Sequence, residues 1–353
     1  MRYVLFGDGE SPHLLKWARA LAAQPELELW AASSRGFLPG FDACVPVARQ
    51  LALATRPQAA GGNVGLLRQL PRLTRWLRQT RADWVHAHYL SSHGALAWLA
   101  QRFGGAPGRL IASAWGSDIL VAPERSAVMR LLTRQVLRAS ALCTSDSEFM
   151  ARRMETLGAN EVMVFPFGLE AMPPPPPAKD EHLFFANRGL EPIYAPSRVL
   201  EQFAAVAGPL DRLVVANTGS LAGALAQQVQ RLGLTERVSF VGRLDAAAQN
   251  DCYAMARWFI SLPRSDSVAV SVLEAMAHGC VPLLSDLPAN RELVRDGENG
   301  LIVPAHGLLS AADLAAVLPR AGQMASQNRQ WVQQHALFAP CVERFLQRLR
   351  SLA

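Results

Sequence analysis

The sequence predicts an α/β protein of two doubly wound domains, each built on a parallel sheet. Short apolar segments with strand character alternate with segments of helical periodicity along both halves of the chain. Such alternation is typical of parallel sheets covered by helices on both faces. Five consecutive prolines, residues 173–177, interrupt it near the middle. The length, 353 residues, also favours two domains over one.

In the first half, six apolar segments are expected to form strands, at residues 3–6, 27–31, 84–87, 110–114, 141–144 and 162–165. Helical periodicity lies between them, for example at residues 12–23, 93–103 and 126–138. Ligands of such sheets bind outside the carboxyl ends of the strands, so the loops that follow strands are the places to look for a site.

The second half repeats the pattern, with strands expected at residues 182–186, 213–216, 238–241, 258–262, 281–284 and 301–303. Helices are expected at residues 196–205, 221–232, 246–256, 272–278 and 311–318. Residues 330–352 have a helical pattern with a break expected at Pro340.

The proline run is expected to be a stiff extended linker, because it continues neither helix nor sheet. The predicted organisation is a first domain at 1–172, a linker at 173–179, a second domain at 180–335, and a terminal helix at 336–353 that crosses back to the first domain.

Composition excludes several classes of protein. No apolar run approaches the roughly 18 residues of a membrane span, and residues 1–10 have the pattern of a strand and turn rather than a signal peptide. The five cysteines are scattered without a CxxC pair, which fits a cytoplasmic protein and argues against zinc or a disulfide framework. The segment Gly7-Asp8-Gly9 lacks the third glycine of a dinucleotide fingerprint.

Positive charge is concentrated in the first half, where residues 1–178 hold 19 basic and 13 acidic side chains. Much of the excess lies on one amphipathic segment that begins or bends at Pro71 and carries Arg68, Arg72, Arg75, Arg78 and Arg81. One interpretation is an ordinary surface helix with a solvated arginine face. The other is peripheral contact with an anionic membrane surface or an anionic acceptor. Nucleic acid is not an expected partner, since aromatic residues are sparse and no nucleic-acid-binding motif is present.

Residues 261–304 carry the most informative pattern. Asp266 stands in a polar turn after an expected strand, and Glu274 follows eight positions later on an expected helix, with serines at 267 and 271 suited to capping its start. A helix N-terminus carries unpaired N–H groups and partial positive charge, which suit a diphosphate. The alternative from spacing alone is a capping aspartate and an exposed helical glutamate.

The string Glu274-Ala275-Met276-Ala277, with an acid eight positions before it, resembles the donor-sugar signature of glycosyltransferase family 4, whose members are retaining nucleotide-sugar transferases of the GT-B fold. The family usually has glutamate as the first acid, where this chain has Asp266. The resemblance implies two Rossmann-like domains facing across a cleft, a nucleotide-diphospho-sugar donor and no bound metal or other cofactor. It also implies that Asp266 orients sugar hydroxyls and that Glu274 holds the ribose.

Further motifs extend the resemblance to the donor side. Arg188 lies in a turn that resembles the family's diphosphate-binding Gly-Arg-Leu turn, and Tyr194 stands where a lysine is usual. The catalytic candidates are therefore Arg188, Asp266 and Glu274. The donor-binding candidates are these three with Gly9, Tyr194, Thr218, Gly219, Val241, Gly242, Ser267, Val268, Ala269, Val270 and Ser271.

The acceptor or sugar side is expected in the first domain, at Glu10, His13, His88, Trp115, Gly116 and Asp118. Trp115 occupies a position where the family commonly has histidine, which suggests a platform or a backbone contribution there. The pair His86 and His88 has a spacing that would suit a metal, but no further Cys/His cluster follows, and no metal is expected.

The expected function is transfer of a sugar to a glycan, lipid-linked or small-molecule acceptor in cell-surface glycan or glycoconjugate biosynthesis. The departures at Asp266, Tyr194 and Trp115 leave a second hypothesis open, a non-catalytic nucleotide-sugar-binding protein of the same fold. A GT-B epimerase or phosphorylase finds no supporting acid cluster or cofactor-lysine pattern.

Overall fold

The computed structural model describes residues 1–56 and 64–352, and the chain packs into two compact units. The first unit contains Met1–Phe165 and Phe338–Ala353, and the second contains Pro166–Leu337. The proline run therefore belongs to the second unit, whereas the sequence analysis placed a boundary at its start.

The first unit is built on a seven-stranded sheet, and every neighbouring pair of strands in it is parallel. Its strands are β1 (Arg2–Gly7), β2 (Glu28–Ser33), β3 (Gln50–Ala52), β4 (Trp84–His88), β5 (Arg109–Ser113), β6 (Ser140–Ser145) and β7 (Val162–Val164). Their order in the sheet is β3-β2-β1-β4-β5-β6-β7. Strands β1 and β4 are buried almost throughout, as strands covered on both faces must be.

Helices cover this sheet. They are α1 (Pro12–Ala22), α2 (Val64–Leu67), α3 (Leu70–Thr80), α4 (Ala95–Arg102), α5 (Ser117–Leu120), α6 (Ala122–Arg125), α7 (Ala127–Ala139) and α8 (Glu148–Leu157). The sequence analysis located α1, α3, α4 and α7 but not the ten-residue α8. Pro71 lies in the first turn of α3, where its missing N–H costs nothing because that group would have no helical partner. The edge strand β3 was not predicted, since its sequence Gln50-Leu51-Ala52 contains a single large apolar residue.

The second unit has a six-stranded parallel sheet in the order β10-β9-β8-β11-β12-β13. Its strands are β8 (Asp180–Ala186), β9 (Arg212–Ala216), β10 (Val238–Gly242), β11 (Ala256–Ser261), β12 (Val281–Ser285) and β13 (Leu301–Val303). Its helices are α9 (Pro196–Val206), α10 (Ala222–Arg231), α11 (Ala246–Met255), α12 (Val270–Ala277), α13 (Pro288–Leu293), α14 (Ala311–Val317) and α15 (Ala321–His335). Two parallel-sheet, Rossmann-like units confirm the predicted fold class.

The final helix, α16 (Phe338–Leu352), packs in the first unit. Phe338 and Phe345 meet the buried ring of Trp17 edge to face, with centroids 5.0 and 5.5 Å away. Arg348 donates two hydrogen bonds, of 2.6 and 2.7 Å, to the Glu161 carboxylate.

The predicted break at Pro340 is wrong. The helical pattern is interrupted at residues 336–337, and Pro340 lies inside the first turn of α16, a position that tolerates proline. Across residues 1–56 and 64–352, no helix is both long and apolar enough to cross a bilayer.

Candidate functional site

The order of strands in the second sheet brings two predicted residues together. Strand β8 pairs with β9 on one side and with β11 on the other. Strands β9 and β10 are added to one side of β8, and strands β11 to β13 are added to its other side, so the strand order reverses between β8 and β11. Ligands of open α/β sheets bind at this switch point, outside the carboxyl ends of the strands. Arg188 follows β8 and Asp266 follows β11, which places both at that edge.

Arg188 and Asp266 form an ion pair. The Arg188 Nη2 donates to Asp266 Oδ2 at 2.6 Å, and Nη1 donates to Ser271 Oγ at 3.2 Å. The two charged side chains are 18% and 19% exposed. The guanidinium also lies over the Tyr194 ring, 4.5 Å from its centroid. Tyr194 thus contributes a π face where the family usually has a second cation.

The electrostatics of Asp266 combine two opposing effects. Burial raises the pKa of its carboxyl above the ordinary value, and the positive charge of Arg188 opposes that rise. Its Oδ1 accepts a hydrogen bond from the Ser267 N–H at 3.0 Å. Arg188 and the Ser267 N–H therefore offset part of the cost of burying this carboxylate.

Helix α12 begins at Val270, and its N-cap residue is Ala269, which offers no side-chain cap. The expectation that serines cap this helix is wrong, because Ser271 lies inside the first turn and accepts from Arg188. Ser267, Val268 and Ala269 are 2%, 6% and 8% exposed. A ligand at this turn would therefore meet mainly backbone N–H groups and the helix dipole.

Glu274 lies one turn further along α12, and its side chain is partly exposed. Its Oε2 accepts hydrogen bonds from the Tyr253 hydroxyl at 2.9 Å and from Gln249 Nε2 at 3.3 Å. The structure therefore does not support the alternative in which Glu274 is simply an exposed glutamate on a helix. Tyr253 and Gln249 were not predicted, and the only available signal was a tyrosine on the core-facing side of an expected helix.

Thr218 and Gly219 lie in the loop after β9. A side chain on Gly219 would collide with the Leu190 carbonyl, so packing alone requires this glycine. The Thr218 carbonyl accepts from the Leu190 N–H at 3.1 Å. Next to them, both donors of Ser220 are bound by the Glu191 carboxylate, at 2.8 and 2.5 Å. Of the donor-binding candidates in this loop, the exposed Thr218 side chain is the one still available to a ligand.

Val241 and Gly242 end strand β10 beside this loop. Val241 is 41% exposed, while the Gly242 carbonyl accepts from the Asn217 N–H at 2.6 Å. Gly242 has φ of +69°, a conformation that favours glycine. Its carbonyl is therefore occupied within the protein, and any backbone recognition of a base here falls to other peptide groups of the turn.

In the first unit, Gly9 follows β1, and its N–H donates to Ser33 Oγ at 2.8 Å. A side chain at this position would collide with the Gly36 carbonyl. This N–H is therefore already used within the unit, and the role of Gly9 in donor binding stays a prediction. Glu10 remains about half exposed, with Oε1 accepting from the Gly36 N–H at 3.3 Å.

Three of the predicted acceptor-side residues form one aromatic cluster. The rings of His13 and His88 lie 5.0 and 5.7 Å from the Trp115 ring. Trp115 Nε1–H donates to His88 Nδ1 at 3.2 Å. Burial lowers the pKa of His88 well below its ordinary value, and the nearby His86 adds to that effect. His88 is therefore neutral with its proton on Nε2, a buried atom that has no hydrogen-bond partner among the described residues.

The Asp118 carboxylate stabilises the turn that carries Trp115. It is fully buried, and its oxygens accept from the N–H groups of Leu90 at 2.8 Å and Trp115 at 2.9 Å. Burial raises its pKa to about 6. Gly116 is buried at φ of +101°, which makes the tight turn possible. Asp118 thus shapes the Trp115 turn, and its place on the acceptor or sugar side stays a prediction in which it would act through that turn.

Both ring nitrogens of His86 are hydrogen-bonded within the protein. Its Nδ1 meets the Tyr3 hydroxyl at 2.7 Å and its Nε2 meets Ser113 Oγ at 2.6 Å. No group of three His, Cys, Asp or Glu side chains that could hold a metal ion occurs in residues 1–56 and 64–352.

The arginines of α3 line a surface groove of about 910 Å³. Arg75, Arg78 and Arg81 contribute to its wall, together with Arg2, Leu70 and the 71% exposed Phe103. Of these, only Arg2 has an ion-pair partner among the described residues, Glu28 at 2.9 Å. The groove therefore combines uncompensated positive charge with exposed apolar surface.

Comparison with known proteins identifies the family to which the chain is similar. A family model described as "Glycosyl transferase 4-like domain" matches residues 8–168, and one described as "Glycosyl transferases group 1" matches residues 181–319. The phosphatidyl-myo-inositol mannosyltransferase of Mycobacterium leprae is 27% identical over 285 residues, which are 75% of this chain and 72% of that protein. The GDP-mannose:cellobiosyl-diphosphopolyprenol alpha-mannosyltransferase of Xanthomonas campestris is 30% identical over 127 residues, which are 34% of this chain and 32% of that protein.

Solved structures give the same fold. HepE of Anabaena, in complex with UDP-glucose, aligns with a TM-score of 0.79 at 15% identity and covers 99% of this chain and 100% of its own. Sucrose-phosphate synthase of Thermosynechococcus elongatus aligns with a TM-score of 0.82 at 14% identity, with both chains covered completely. The two family models together span most of the sequence, so the chain is a glycosyltransferase that belongs to family 4 of the GT-B fold.

Proposed function

We propose that the protein transfers a sugar from a nucleotide-diphospho-sugar to an acceptor, with retention of anomeric configuration, in cell-surface glycan or glycoconjugate biosynthesis. One observation carries the donor part of this proposal: Arg188, Asp266, Ser271 and Glu274 converge at the switch point of the second sheet. A cation, a partly buried carboxylate and a helix start at one edge suit a ligand that joins a diphosphate to hydroxyl-rich sugars.

The reaction breaks the bond between the anomeric carbon and the diphosphate oxygen. The electron pair leaves with the diphosphate, and positive charge develops on the sugar ring. Arg188 would stabilise the leaving diphosphate through the donors that Asp266 and Ser271 do not occupy, and the start of α12 would add its N–H groups. In the proposal these groups replace a metal ion, so no cofactor is required.

The acceptor hydroxyl would attack on the face that the diphosphate leaves, and its proton would pass to the departing phosphate oxygen. Attack on that face gives retention, and we assign no protein nucleophile. Asp266 would orient hydroxyls of the transferred sugar, and Glu274 would accept hydrogen bonds from the ribose. Each of these carboxylates is already held by a neighbouring side chain, which lowers the entropy lost on binding.

The acceptor would use the first unit. The partly exposed rings of His13 and Trp115 offer flat faces for a sugar ring, and the buried His88 ring packs against Trp115 and holds it in place. The names of the two mannosyltransferase relatives specify a phosphatidylinositol and a polyprenol diphosphate. These names favour a lipid-linked acceptor here over a small molecule.

A lipid-linked acceptor requires access to a membrane. The arginine face of α3, with Phe103 beside it, would bind the anionic inner surface while apolar side chains enter the interface. The proposed location is therefore cytoplasmic and peripheral at that surface. The donor could be a uridine or a guanosine diphosphate sugar, since UDP-glucose and GDP-mannose both occur in the names of related proteins.

The test is an assay with purified protein, UDP-glucose or GDP-mannose, and lipid extracts as acceptors, read by mass shift of the lipid. The product of the parent protein should carry one added hexose whose anomeric configuration, read by NMR coupling, matches that of the donor. Glu274→Ala should abolish most of the turnover. Donor binding without transfer across a wide acceptor panel would instead favour the non-catalytic hypothesis, and an inverted anomer would contradict retention.

A further inference from the structure

The buried hydroxyl of Tyr253 connects the two ends of the proposed donor site. Tyr253 lies on α11 and is 0% exposed. Its oxygen is 2.9 Å from Glu274 Oε2 and 2.7 Å from Asn187 Nδ2. Asn187 directly precedes Arg188. The Tyr253 oxygen therefore links Glu274, the proposed ribose contact, to the loop that carries Arg188, the proposed diphosphate contact.

The directions of these hydrogen bonds follow from chemistry. A carboxylate only accepts, so the Tyr253 hydroxyl must donate to Glu274. With its one proton used, the hydroxyl oxygen can only accept from Asn187, which must turn its NH₂ group toward it. The Ser271 carbonyl, 3.1 Å away, is a second acceptor for the same proton, but the nearer and charged Glu274 forms the stronger bond.

The ring of Tyr253 is fixed independently of its hydroxyl. It packs edge to face against Phe185 with centroids 5.0 Å apart, and it stacks on His278 at 5.4 Å. The backbone of Asn187 is fixed as well, since its main-chain carbonyl accepts from Asn217 Nδ2 at 2.5 Å. The hydroxyl therefore projects from a rigid ring, and Glu274 is held in the rotamer that this ring dictates.

We propose that Tyr253 is a positioning residue for the donor: its hydroxyl fixes the Glu274 carboxylate toward the ribose and ties it to the Arg188 loop through Asn187. This inference rests on the proposed function, because it assumes that Glu274 binds the ribose. The inference adds a cause for selectivity. Part of the protein's preference for a ribonucleotide over its 2′,3′-dideoxy counterpart arises from a buried tyrosine that does not contact the substrate.

The test compares Tyr253→Phe with the parent protein, using UDP and GDP and their 2′,3′-dideoxy counterparts as probes in calorimetric titrations. Loss of one hydrogen bond to a charged group should weaken binding of the better ribonucleotide by about tenfold or more. Binding of the dideoxy probe should change little, so the variant should lose most of the preference for the ribonucleotide. Combined with Glu274→Ala, Tyr253→Phe should cost no further ribonucleotide affinity, because the hydroxyl then has no carboxylate to position.

Tyr3→Phe is the matched control, since Tyr3 is also 0% exposed and its hydroxyl meets His86 at 2.7 Å in the other unit. It should leave the ribonucleotide preference intact. If Tyr253→Phe fails to fold, Gln249→Ala removes the longer bond to the same Glu274 oxygen and should produce a smaller loss of the same preference.

The outcomes separate the two ideas. Equal weakening of ribo and dideoxy probes, or an additive double variant, would overturn the positioning role while leaving Glu274 as a ribose contact. A parent protein that does not distinguish the two probes, or binds neither, would overturn the proposed ribose contact and this inference with it.

Discussion

Arg188 donates to Asp266 at 2.6 Å, so two residues expected to hold separate parts of a donor form one ion pair. The pair is four-fifths buried. Removing only one partner of such a pair leaves an uncompensated charge, which costs more than the pair itself contributes. The two opposite charges therefore compensate each other, where the sequence suggested an arginine that faces the diphosphate alone.

The first prediction concerns this pair. Arg188→Ala should weaken binding of UDP-glucose or GDP-mannose by about a hundredfold, because the diphosphate loses its cation and then faces the unpaired Asp266. The double variant Arg188→Ala/Asp266→Ala should bind more tightly than the single variant. Titration of the nucleotide sugar checks both, with the exposed Arg231→Ala as control. A double variant weaker than Arg188→Ala would show that Asp266 attracts the donor more than it opposes it.

The second prediction separates donor from acceptor. Trp115→Phe removes the N–H that donates to His88 Nδ1 and shortens the aromatic platform. We expect a severalfold higher KM for the acceptor, with an unchanged dissociation constant for the nucleotide sugar, whose proposed contacts lie in the second unit. Steady-state kinetics in both substrates provide the measurement. If the donor affinity falls instead, the division of roles between the two units is wrong.

The third prediction is a pH dependence of stability. Burial lowers the pKa of His93 to about 4, and that of His86 to about 3. An unfolded chain would titrate these rings near 6.5. The folded state therefore binds fewer protons below that pH. The stabilisation is fully present above about pH 6.5 and is lost progressively as the pH falls toward 4.

His93→Gln isolates one of these groups. Its side chain donates to the His88 carbonyl at 2.7 Å and meets Ser34 Oγ at 2.9 Å, so the variant should be less stable at pH 7.5. Between pH 7.5 and pH 5, however, the parent should lose about 2 kcal/mol more than the variant. Hydrogen exchange of the β4 amides reports this for the first unit alone. Parallel pH profiles for the two proteins would count against a neutral, buried His93.

The fourth prediction concerns the arginine groove. On vesicles of equal parts phosphatidylglycerol and phosphatidylcholine, Arg75→Ala/Arg78→Ala should reduce binding by about thirtyfold, since each arginine contributes about 1 kcal/mol near an anionic surface. Co-sedimentation measures this, and added salt should weaken binding of the parent protein. Arg125→Ala/Arg134→Ala, on other helices of the same unit, is the matched control. Equal loss in both pairs, or binding to neutral vesicles, would favour the plain solvated helix.

Much of the fold was predictable because buried parallel strands leave a strong sequence signal. Continuous apolar runs located β1 and β4, and the same reasoning placed Arg188 and Asp266 in loops that follow strands. Strand β3 was missed because it contains one large apolar residue, Leu51, whereas the equally short β7 and β13 are apolar throughout. The expected break at Pro340 failed because proline disrupts a helix interior but fits the first turn, and nothing local marks where α16 begins.

The site was only partly predictable. The spacing along one helix placed Glu274 beyond the start of α12. Its partner Tyr253 lies on a different helix, α11. The sequence of α11 does not indicate which carboxylate that tyrosine contacts. Gly9 and Gly219 are donor-binding candidates from the sequence, whereas in the structure a close approach to neighbouring carbonyls accounts for a glycine at both positions. Glycines reveal that something lies near the backbone, and only the tertiary structure shows what it is.

The most direct test of the account is a crystal structure of the protein with a bound nucleotide sugar. It should show the diphosphate within hydrogen-bonding distance of Arg188 and the ribose hydroxyls within about 3 Å of the Glu274 carboxylate, which still accepts from Tyr253. A nucleotide bound elsewhere, or one whose ribose lies out of reach of Glu274, would contradict it.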